Sequence, residues 1–407
     1  MRVLRGILKE GIIVPQEVYI VGAKRTPVGA YGQSLSSVPA TRLGELAIRE
    51  ALKDAGVSSS EVEETVLGCV LQAGLGQNPA RKAAIDADIP VESPATTLNK
   101  VCGSGLHTIN LAAQSIMIGH KDLVVAGGME NMSRAPYVLD GMRWGQRMGH
   151  GKAKDSMINE GLWCAMEDYH MGVTAENLAE KYNISREEQD EFSAKSQQKA
   201  TEAIEKGLFE KETFPVELKD KKGNVSYFDT DEFPRKDVTK DKLGKLPPAF
   251  KKEGTVTAGN ASGINDGAAV VILASKEKVD ELGLEPIAKI VSFGSGGVEP
   301  KHMGLGPVPS VGKALKAADL ELSDINVLEL NEAFAAQALA VMKELNPDPE
   351  KVNLRGGAIA IGHPIGASGA RIFVTLLHAL QDNGGGYGLA SLCIGGGQGE
   401  ATIVKTL

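Results

Sequence analysis

Aromatic residues and cysteines are scarce in this chain of 407 residues, and long apolar runs are missing. Aromatics make up 4% of the residues, which is too few for the stacking platforms that bind single-stranded nucleic acid. No apolar run reaches the ~18 residues of a membrane-spanning helix. We therefore expect neither nucleic acid nor a membrane as a partner.

The few cysteines show none of the spacings that mark metal sites. There is no C-x-x-C pair and no histidine at ligand spacing, so the sequence predicts neither a metal site nor a disulfide framework. Thiols of this kind fit a reducing compartment, and we expect a cytoplasmic protein. The cysteines are Cys69, Cys102, Cys164 and Cys393.

The net charge of −8 disfavours nonspecific binding to nucleic acid or to anionic membranes. One segment, between Lys219 and Lys252, has the opposite character because many bases cluster there. Two interpretations stay open: a solvated charged loop, or a local attractor for a phosphorylated ligand. Its bases include Lys221, Lys222, Arg235, Lys236, Lys240, Lys242, Lys245 and Lys251.

Cys102 stands between an extended segment and a helical pattern. Residues 95–101 are typical of a strand, and apolar residues recur on one side of a predicted helix after Gly103-Ser104-Gly105. The positive end of a helix dipole should lower the pKa of this thiol and raise its thiolate fraction. We therefore interpret Cys102 as a candidate nucleophile.

Three polar groups further along the chain complete a set suited to acyl transfer. His363 lies in segment 362–371, Cys393 in the glycine-rich segment 391–399, and Asn331 lies upstream of both. His363 precedes a proline, which holds it extended, and it can take a proton from one thiol. The other thiol can act as acid or base, while backbone N–H groups and Asn331 can stabilise an oxyanion.

Other polar residues near these segments have simpler explanations. Cys69 and Cys164 lack comparable surroundings, and we interpret them as structural. Asn331 ends an apolar strand and has the alternative role of capping the next helix. His107 lies five residues after Cys102 and turns to another side of the helix, which makes it the weaker candidate base.

The chain repeats itself weakly, at an offset of about 263 residues. Ala51–Val57 reappears as Ala314–Leu320, and Ser104-Gly105 reappears as Ser368-Gly369. Matches in nearly one register indicate two homologous halves. Strand and helix patterns alternate in each half, which favours an α/β fold with mixed sheets.

A charged segment of different composition, about 135–254, separates the halves. One helix is clear within it. Ser185 and Glu188 form a capping box, which predicts a helix from there to about Gly207.

The chain contains six motifs, spread from about residue 18 to the C-terminus, that resemble those of the thiolase family and follow one another in the family's order. Three surround Cys102, His363 and Cys393. The chain is most similar to the biosynthetic branch, the acetoacetyl-CoA thiolases or acetyl-CoA C-acetyltransferases. The other three motifs are Ala23–Pro27, Gly127–Ser133 and Thr257–Gly263.

The resemblance implies a five-layer αβαβα fold of two homologous halves with mixed sheets, plus an inserted loop domain over the active site. The implied domains follow the chain. They are an N-terminal extension at 1–16, an N-terminal half at 17–134 completed by about 264–284, a loop domain at 135–263, and a C-terminal half at 285–407.

The resemblance also implies a reaction, the reversible Claisen condensation of two acetyl-CoA to acetoacetyl-CoA and CoA. Cys102 would carry the acetyl group after His363 takes its proton, and Cys393 would remove the α-proton of the second acetyl-CoA. Asn331 would hold a water near the enolate. The backbone N–H groups of Cys102 and Gly395 would meet the oxyanion.

Eight residues resemble those that line the coenzyme A channel of the family. Coenzyme A would be substrate and product, so no separate cofactor is expected. The segment Met142–Leu162 resembles the loop that ties two dimers together, which implies a homotetramer. The channel residues are Arg235, Ser262, Ala258, Phe250, Leu162, His170, Met171 and Phe334.

Three alternative functions are compatible with parts of these motifs. The first is a 3-ketoacyl-CoA thiolase of fatty-acid degradation, which acts on longer chains. The second is a thiolase-like lipid carrier without turnover, which would need none of Cys102, His363 and Cys393. The third is a decarboxylating ketoacyl synthase, which pairs its cysteine with two histidines, whereas this chain has a second cysteine.

Overall fold

The computed structural model describes residues 8–9, 12–13 and 15–407. The N-terminal extension predicted at 1–16 therefore lies largely outside the described residues. Within them, one mixed sheet of ten strands runs through the molecule. Its strands are β1 (Val18–Arg25), β2 (Gly29–Ala30), β3 (Glu64–Gly68), β4 (Ala95–Leu98), β5 (Leu123–Asn131), β6 (Asn265–Ser275), β7 (Ala288–Gly297), β8 (Ile325–Leu330), β9 (Tyr387–Ile394) and β10 (Gln398–Thr406).

The strand order divides the sheet into two halves. It runs β8-β9-β10-β7-β1-β6-β5-β3-β4, with β2 paired to β6. β9 is parallel to β8, and β3 is parallel to both β4 and β5, while the other neighbours are antiparallel. Two residue pairs join β7 to β1, so two half-sheets meet at a narrow junction.

Helices cover the half-sheets on both faces. No helix in the described residues is long and apolar enough to cross a membrane. The helices are α1 (Ala40–Ala55), α2 (Pro79–Asp86), α3 (Ser104–Met117), α4 (Met171–Lys181), α5 (Arg186–Glu205), α6 (Lys240–Leu243), α7 (Lys276–Leu282), α8 (Pro307–Ala318), α9 (Ala335–Leu345), α10 (Ala358–Ile361) and α11 (Ile365–Asp382).

Short helical turns and two-stranded hairpins complete the elements. The turns are Ser59–Glu61, Met132–Arg134, Met142–Trp144, Met157–Leu162, Pro300–Leu305, Leu322–Asp324 and Pro349–Lys351. The hairpins pair Leu8–Lys9 with Ile12–Ile13, Tyr137–Val138 with Lys154–Asp155, Trp163–Cys164 with Tyr169–His170, and Val216–Lys219 with Val225–Phe228.

Packing arranges these elements in five layers. Helices α1 and α2 pack on the outer face of the half-sheet that contains β1 and β5. Helices α3 and α11 lie between the half-sheets, and α8 and α9 cover the outer face of the other. Every residue of α11 from Ile365 to Leu380 is buried, as expected for a helix that is apolar nearly all round.

The internal repeat is visible in the structure. Gly56 caps the C-terminus of α1 and Asp319, 263 residues later, caps that of α8, and both caps are left-handed, with φ of 66° and 54°. The turn Ser59–Glu61 recurs at the same offset as Leu322–Asp324. The prediction of two homologous halves is confirmed.

The two central helices cross through glycine. A Cβ on Gly105 of α3 would collide with the backbone of Ala370, and a Cβ on Gly369 of α11 would collide with the backbone of Leu106. Gly369 follows Gly105 by 264 residues, so the contacts are reciprocal. The crossing therefore has approximate two-fold symmetry.

Between β5 and β6 the chain leaves the sheet and forms α4, α5, α6 and three hairpins. The capping box of Ser185 is present, and the helix after it ends at Glu205, close to the predicted end. The buried Arg25 of β1 holds this region to the core through Glu212 (2.6 Å) and Asp231 (2.7 Å). These elements fall within the loop domain expected at 135–263.

Candidate active site

Cys102 lies in a tight turn between β4 and α3. The preceding residue, Val101, has a φ of 48°, a left-handed conformation that costs of order 1–3 kcal/mol in a β-branched residue. Two hydrogen bonds hold this turn: the Val101 N–H donates to Asn99 Oδ1 (2.9 Å), and the Lys100 N–H donates to Ser104 Oγ (2.8 Å). The turn therefore holds the thiol in one orientation despite the strain.

The predicted lowering of the Cys102 pKa is wrong. Burial raises this pKa to about 11, and the charge of Glu130 acts in the same direction. Helix α3 begins two residues later, at Ser104, and the desolvation of the sulfur outweighs the effect of the helix dipole. The backbone N–H groups of Gly395 and of Cys102 itself lie near the sulfur and lower the pKa in part. The resting sulfur is therefore a neutral thiol between two converging N–H donors.

His363 presents an unprotonated ring nitrogen. Its Nδ1 lies 2.6 Å from Ser368 Oγ, and that hydroxyl donates to the Pro364 carbonyl at 2.8 Å. Because the hydroxyl hydrogen goes to the carbonyl, Nδ1 must carry the ring proton. Nε2 is buried without a partner in the described residues. Burial, followed by the charge of Arg371, lowers the pKa of His363 to about 3, so the ring is neutral.

The thiol of Cys393 is buried near the end of β9. Burial raises its pKa, and the charge on Cys102 raises it further. The strand gives way to a glycine turn in which Gly396 and Gly397 have φ of 85° and 86°, a conformation that glycine adopts without strain. The two thiols are thus close enough to interact electrostatically.

An inner cavity of about 50 Å³ brings the predicted groups together. Cys102, His363, Cys393 and Gly395 all line it. Four of the predicted coenzyme A residues line it as well. They are Leu162, Met171, Ser262 and Phe334.

A larger cavity of about 610 Å³ adjoins the inner one, and both share His363, Leu162, Ser262 and Phe334. An aromatic series borders it: His170 stacks on Phe250 with centroids 4.7 Å apart, and Phe250 meets Phe334 edge-on at 6.0 Å. Seven of the eight predicted channel residues line this cavity, and Met171 lines the inner one alone. The seven are Arg235, Ser262, Ala258, Phe250, Leu162, His170 and Phe334.

Of the eight bases named in the basic segment, Arg235 is the one that lines this channel. Its guanidinium carbon lies 5.5 Å from the centroid of the Phe233 ring. Neighbouring lysines instead pair with carboxylates on exposed surface, Lys236 with Glu205 and Lys240 with Glu191. The solvated-loop interpretation therefore suits those lysines, while Arg235 faces the channel.

Two family models match this chain, the thiolase N-terminal domain at residues 18–277 and the thiolase C-terminal domain at residues 284–406. The chain belongs to the thiolase family. It is accordingly an acyltransferase.

Known proteins resemble this thiolase along nearly its whole length. An acetyl-CoA acetyltransferase of Syntrophomonas wolfei is 55% identical over 398 residues, which is 96% of this chain and 100% of the relative. The crystal structure of the Bacillus anthracis acetyl-CoA acetyltransferase has a TM-score of 0.95 at 46% identity and covers 97% of this chain and 100% of its own. Human mitochondrial 3-ketoacyl-CoA thiolase has a TM-score of 0.93 at 44% identity, over 96% and 99% of the two chains. The predicted fold class is confirmed.

Asn331 is the predicted catalytic residue that this thiolase does not bring to the cavity lining. Its backbone N–H donates to the Ser391 carbonyl at 3.0 Å, and its side chain is buried. Neither Oδ1 nor Nδ2 has a partner in the described residues. A buried amide without a partner is uncommon, so Asn331 retains its full capacity to bind a small polar group.

Sequence reasoning missed several residues of the site. Val101 and Ser368 are the most informative, because one strains the turn before Cys102 and the other sets the histidine tautomer. Ser368 belongs to the same motif as His363, and a serine on a helix commonly bonds the carbonyl four residues earlier, here that of Pro364. Met303 and Ala333 line the inner cavity without a sequence signal.

His107, the weaker candidate base, is committed elsewhere. Its Nδ1 lies 3.1 Å from a carboxylate oxygen of Glu400, which also accepts from Lys100 (2.7 Å) and Asn110 (2.7 Å). His107 lines neither cavity. In the described residues no group of three His, Cys, Asp or Glu side chains is placed to hold a metal ion.

Proposed function

We propose that this thiolase condenses two acetyl-CoA to acetoacetyl-CoA and CoA, reversibly, through an acetyl group on Cys102. One observation carries the proposal: two thiols, an unprotonated imidazole nitrogen and two N–H donors converge on one small cavity at the end of a channel. The names of the relatives that are acetyl-CoA acetyltransferases support the choice of substrate.

The first half-reaction acetylates Cys102. Nε2 of His363 takes the thiol proton as the sulfur attacks the thioester carbon of acetyl-CoA. The N–H groups of Cys102 and Gly395, which lie beside the sulfur, stabilise the resulting oxyanion. The C–S bond to CoA then breaks, and His363 returns the proton to the departing CoA thiolate.

The second half-reaction forms the carbon–carbon bond. His363 takes the proton of Cys393, and the resulting thiolate removes the α-proton of a second acetyl-CoA, while the protonated His363 and a water on Asn331 stabilise the enolate oxygen. The α-carbon attacks the acetyl carbonyl, acetoacetyl-CoA forms, and the bond to the Cys102 sulfur breaks. The proton held by His363 passes to that sulfur, which restores both thiols and the neutral imidazole. Thiolysis is the same sequence in reverse.

The size of the inner cavity supports a short acyl group. Its volume of about 50 Å³ is a few times the ~10–15 Å³ that one water requires. Met171 and Phe334 are buried and border it. The longer-chain 3-ketoacyl-CoA thiolase remains the second candidate, because the human mitochondrial enzyme of that name shares the fold closely.

The outer cavity suits coenzyme A, which serves as substrate and product, and no further cofactor is needed. Its volume is in the ~300–1,000 Å³ range of ligand pockets. An aromatic wall suits the apolar arm of the coenzyme, and Arg235 supplies a cation for its phosphates.

We further propose a cytoplasmic homotetramer, a dimer of dimers. Large apolar side chains stand exposed near the segment expected to join the dimers, with Trp144 85% and Met148 93% exposed. Exposed apolar clusters of this kind mark interaction surfaces. Sedimentation of the wild type and of Trp144→Ser tests the assembly. A wild type that sediments as a monomer or dimer would contradict the tetramer, and a tetramer unaffected by the substitution would contradict the contact at Trp144.

The reaction itself is tested by radiolabelled acetyl-CoA. One acetyl group per chain should bind covalently, and peptide mapping should place it on Cys102. Cys102→Ala should bind none. Label on Cys393 or Cys164 would reverse the assignment of the nucleophile, and the absence of any covalent label in the wild type would contradict the mechanism.

A further inference from the structure

We infer that Glu130 is a positioning residue for His363. Its carboxylate lies at the end of β5, where three segments of the chain meet, and it is fully buried. The inference rests on the base role proposed for His363. A buried carboxylate is stable only when hydrogen bonds satisfy it, so its partners indicate what it holds.

Both carboxylate oxygens accept from backbone beside the active site. Oε2 accepts from the N–H groups of Gly366 (2.9 Å) and Val70 (3.0 Å), and Oε1 accepts from the Leu71 N–H (3.2 Å). The Cys69 thiol lies 3.7 Å from Oε1. Glu130 therefore joins β5 to the segment after β3 and to the start of α11.

Helix α11 depends on this carboxylate because it lacks a cap of its own. Its first residue, Ile365, follows Pro364, which makes no side-chain capping bond. The N–H groups of a helix's first turn need acceptors from elsewhere, and a negative charge is favourable there. Glu130 supplies that acceptor from β5. The N–H group that it accepts from belongs to Gly366, three residues after His363.

Three glycines let the surrounding backbone pack closely against the same turn. The Gly366 carbonyl lies so close to Gly68, Gly105 and Gly128 that an added Cβ at any of them would meet it. The helix start is thus held by tight packing on one side and by Glu130 on its N–H side. Since His363 has no flexible link to this start, a shift of α11 would move its imidazole relative to the Cys102 sulfur.

The test is a double-mutant cycle. Glu130→Gln replaces the carboxylate with a neutral amide, which is a weaker acceptor and sets one N–H₂ group against N–H donors. We expect the single-turnover rate of Cys102 acetylation to fall on the order of 10-fold to 10²-fold, as for a small misplacement of a reacting group, with KM nearly unchanged. Glu130→Asp, which keeps both acceptor oxygens, should recover part of the rate.

The cycle separates positioning from general stability. In a His363→Ala background, Glu130→Gln should cause little further loss, because the group that it positions is gone. Glu176→Gln is the matched control, since that buried carboxylate accepts from the N–H groups of Thr255 and Val256. It should lower the unfolding midpoint while the acetylation rate stays near wild type.

Two outcomes would overturn the inference while the base role of His363 still holds. One is an acetylation rate of Glu130→Gln equal to that of the wild type. The other is a rate loss in the double variant equal to the product of the losses in Glu130→Gln and His363→Ala. If His363→Ala itself acetylates normally, the proposed base role fails, and this inference fails with it. Should Glu130→Gln not fold, Glu130→Asp in the same cycle gives the answer.

Discussion

Ser368 determines which nitrogen of His363 carries the proton. Its Oγ sits 2.6 Å from Nδ1 and donates its own hydrogen to the Pro364 carbonyl at 2.8 Å. The serine lies within the first turn of α11, so the helix that follows the histidine also orients it. Nε2 therefore carries the free lone pair of the ring, which can accept a proton from a thiol.

Removing this hydroxyl should impair catalysis more than stability. In Ser368→Ala, Nδ1 loses its acceptor and the ring can take the other tautomer, so we expect kcat to fall on the order of 10-fold to 10²-fold with KM nearly unchanged. Steady-state kinetics checks this. Ser193→Ala is the matched control, because Ser193 is also a buried helical serine that bonds the carbonyl four residues earlier. Equal kcat in both variants would count against the tautomer role.

Cys393→Ala should separate the two half-reactions. The variant should still form the acetyl-enzyme, because the first half-reaction does not use Cys393. Condensation should fall by a factor on the order of 10²–10⁴, as expected when general acid–base catalysis is lost. Stopped-flow acetylation and a coupled condensation assay measure the two steps, with the buried Cys164→Ala as control. Near wild-type condensation would remove Cys393 from the mechanism.

The raised pKa of Cys102 predicts an unusual pH profile for alkylation. Only the thiolate reacts with iodoacetamide, and its fraction grows about tenfold per pH unit below the pKa. Because burial raises the Cys102 pKa to about 11, the rate should still be rising at pH 10. A free cysteine of pKa ≈ 8.5 levels off earlier. A plateau near neutral pH would instead restore the activated thiolate expected from the sequence.

Arg235→Ala should weaken the binding of acetyl-CoA without slowing chemistry. If the guanidinium contacts phosphate, KM should rise and kcat should stay nearly constant, the pattern of lost uniform binding. The rise should shrink as salt is added. Lys236→Ala is the adjacent control, since Lys236 pairs with Glu205 at the surface. The same KM for both variants would place Arg235 among the solvated charges.

Met171→Ala should widen the range of acyl chains. A shape-filled apolar pocket discriminates by roughly 10–200-fold per methylene, so the wild type should cleave 3-ketohexanoyl-CoA much less well than acetoacetyl-CoA. The substitution should narrow that difference and leave acetylation of Cys102 intact. Thiolysis assays with both substrates decide it. Equal kcat/KM of the wild type for the two would favour the longer-chain alternative.

Local patterns predicted the frame of this molecule well. The offset repeat anticipated the two halves, and the Ser185 capping box anticipated α5, because both depend on residues close together in sequence or on one register. The motifs around Cys102, His363 and Cys393 named groups that do share a cavity. Turn residues and glycines beside these three residues mark their positions in the sequence itself.

Properties that depend on burial could not be predicted in the same way. The Cys102 pKa was expected to fall because the helix dipole can be read from the sequence, whereas the desolvation that outweighs it arises from tertiary packing. The strain at Val101 left no mark, since valine ordinarily avoids that conformation. Asn331 shows the same limit, because its separation from the cavity lining follows from how the strands pack.

The reciprocal glycine crossing of α3 and α11 fixes the distance between the two central helices. Gly105 and Gly369 bring the two helix backbones into direct contact, so no side chain acts as a spacer between the helix starts that follow Cys102 and precede Ser368. Substitutions at the surface can reshape the outer cavity without altering that spacing. Substrate range is therefore free to diverge in this fold while the separation of Cys102 and His363 stays constant.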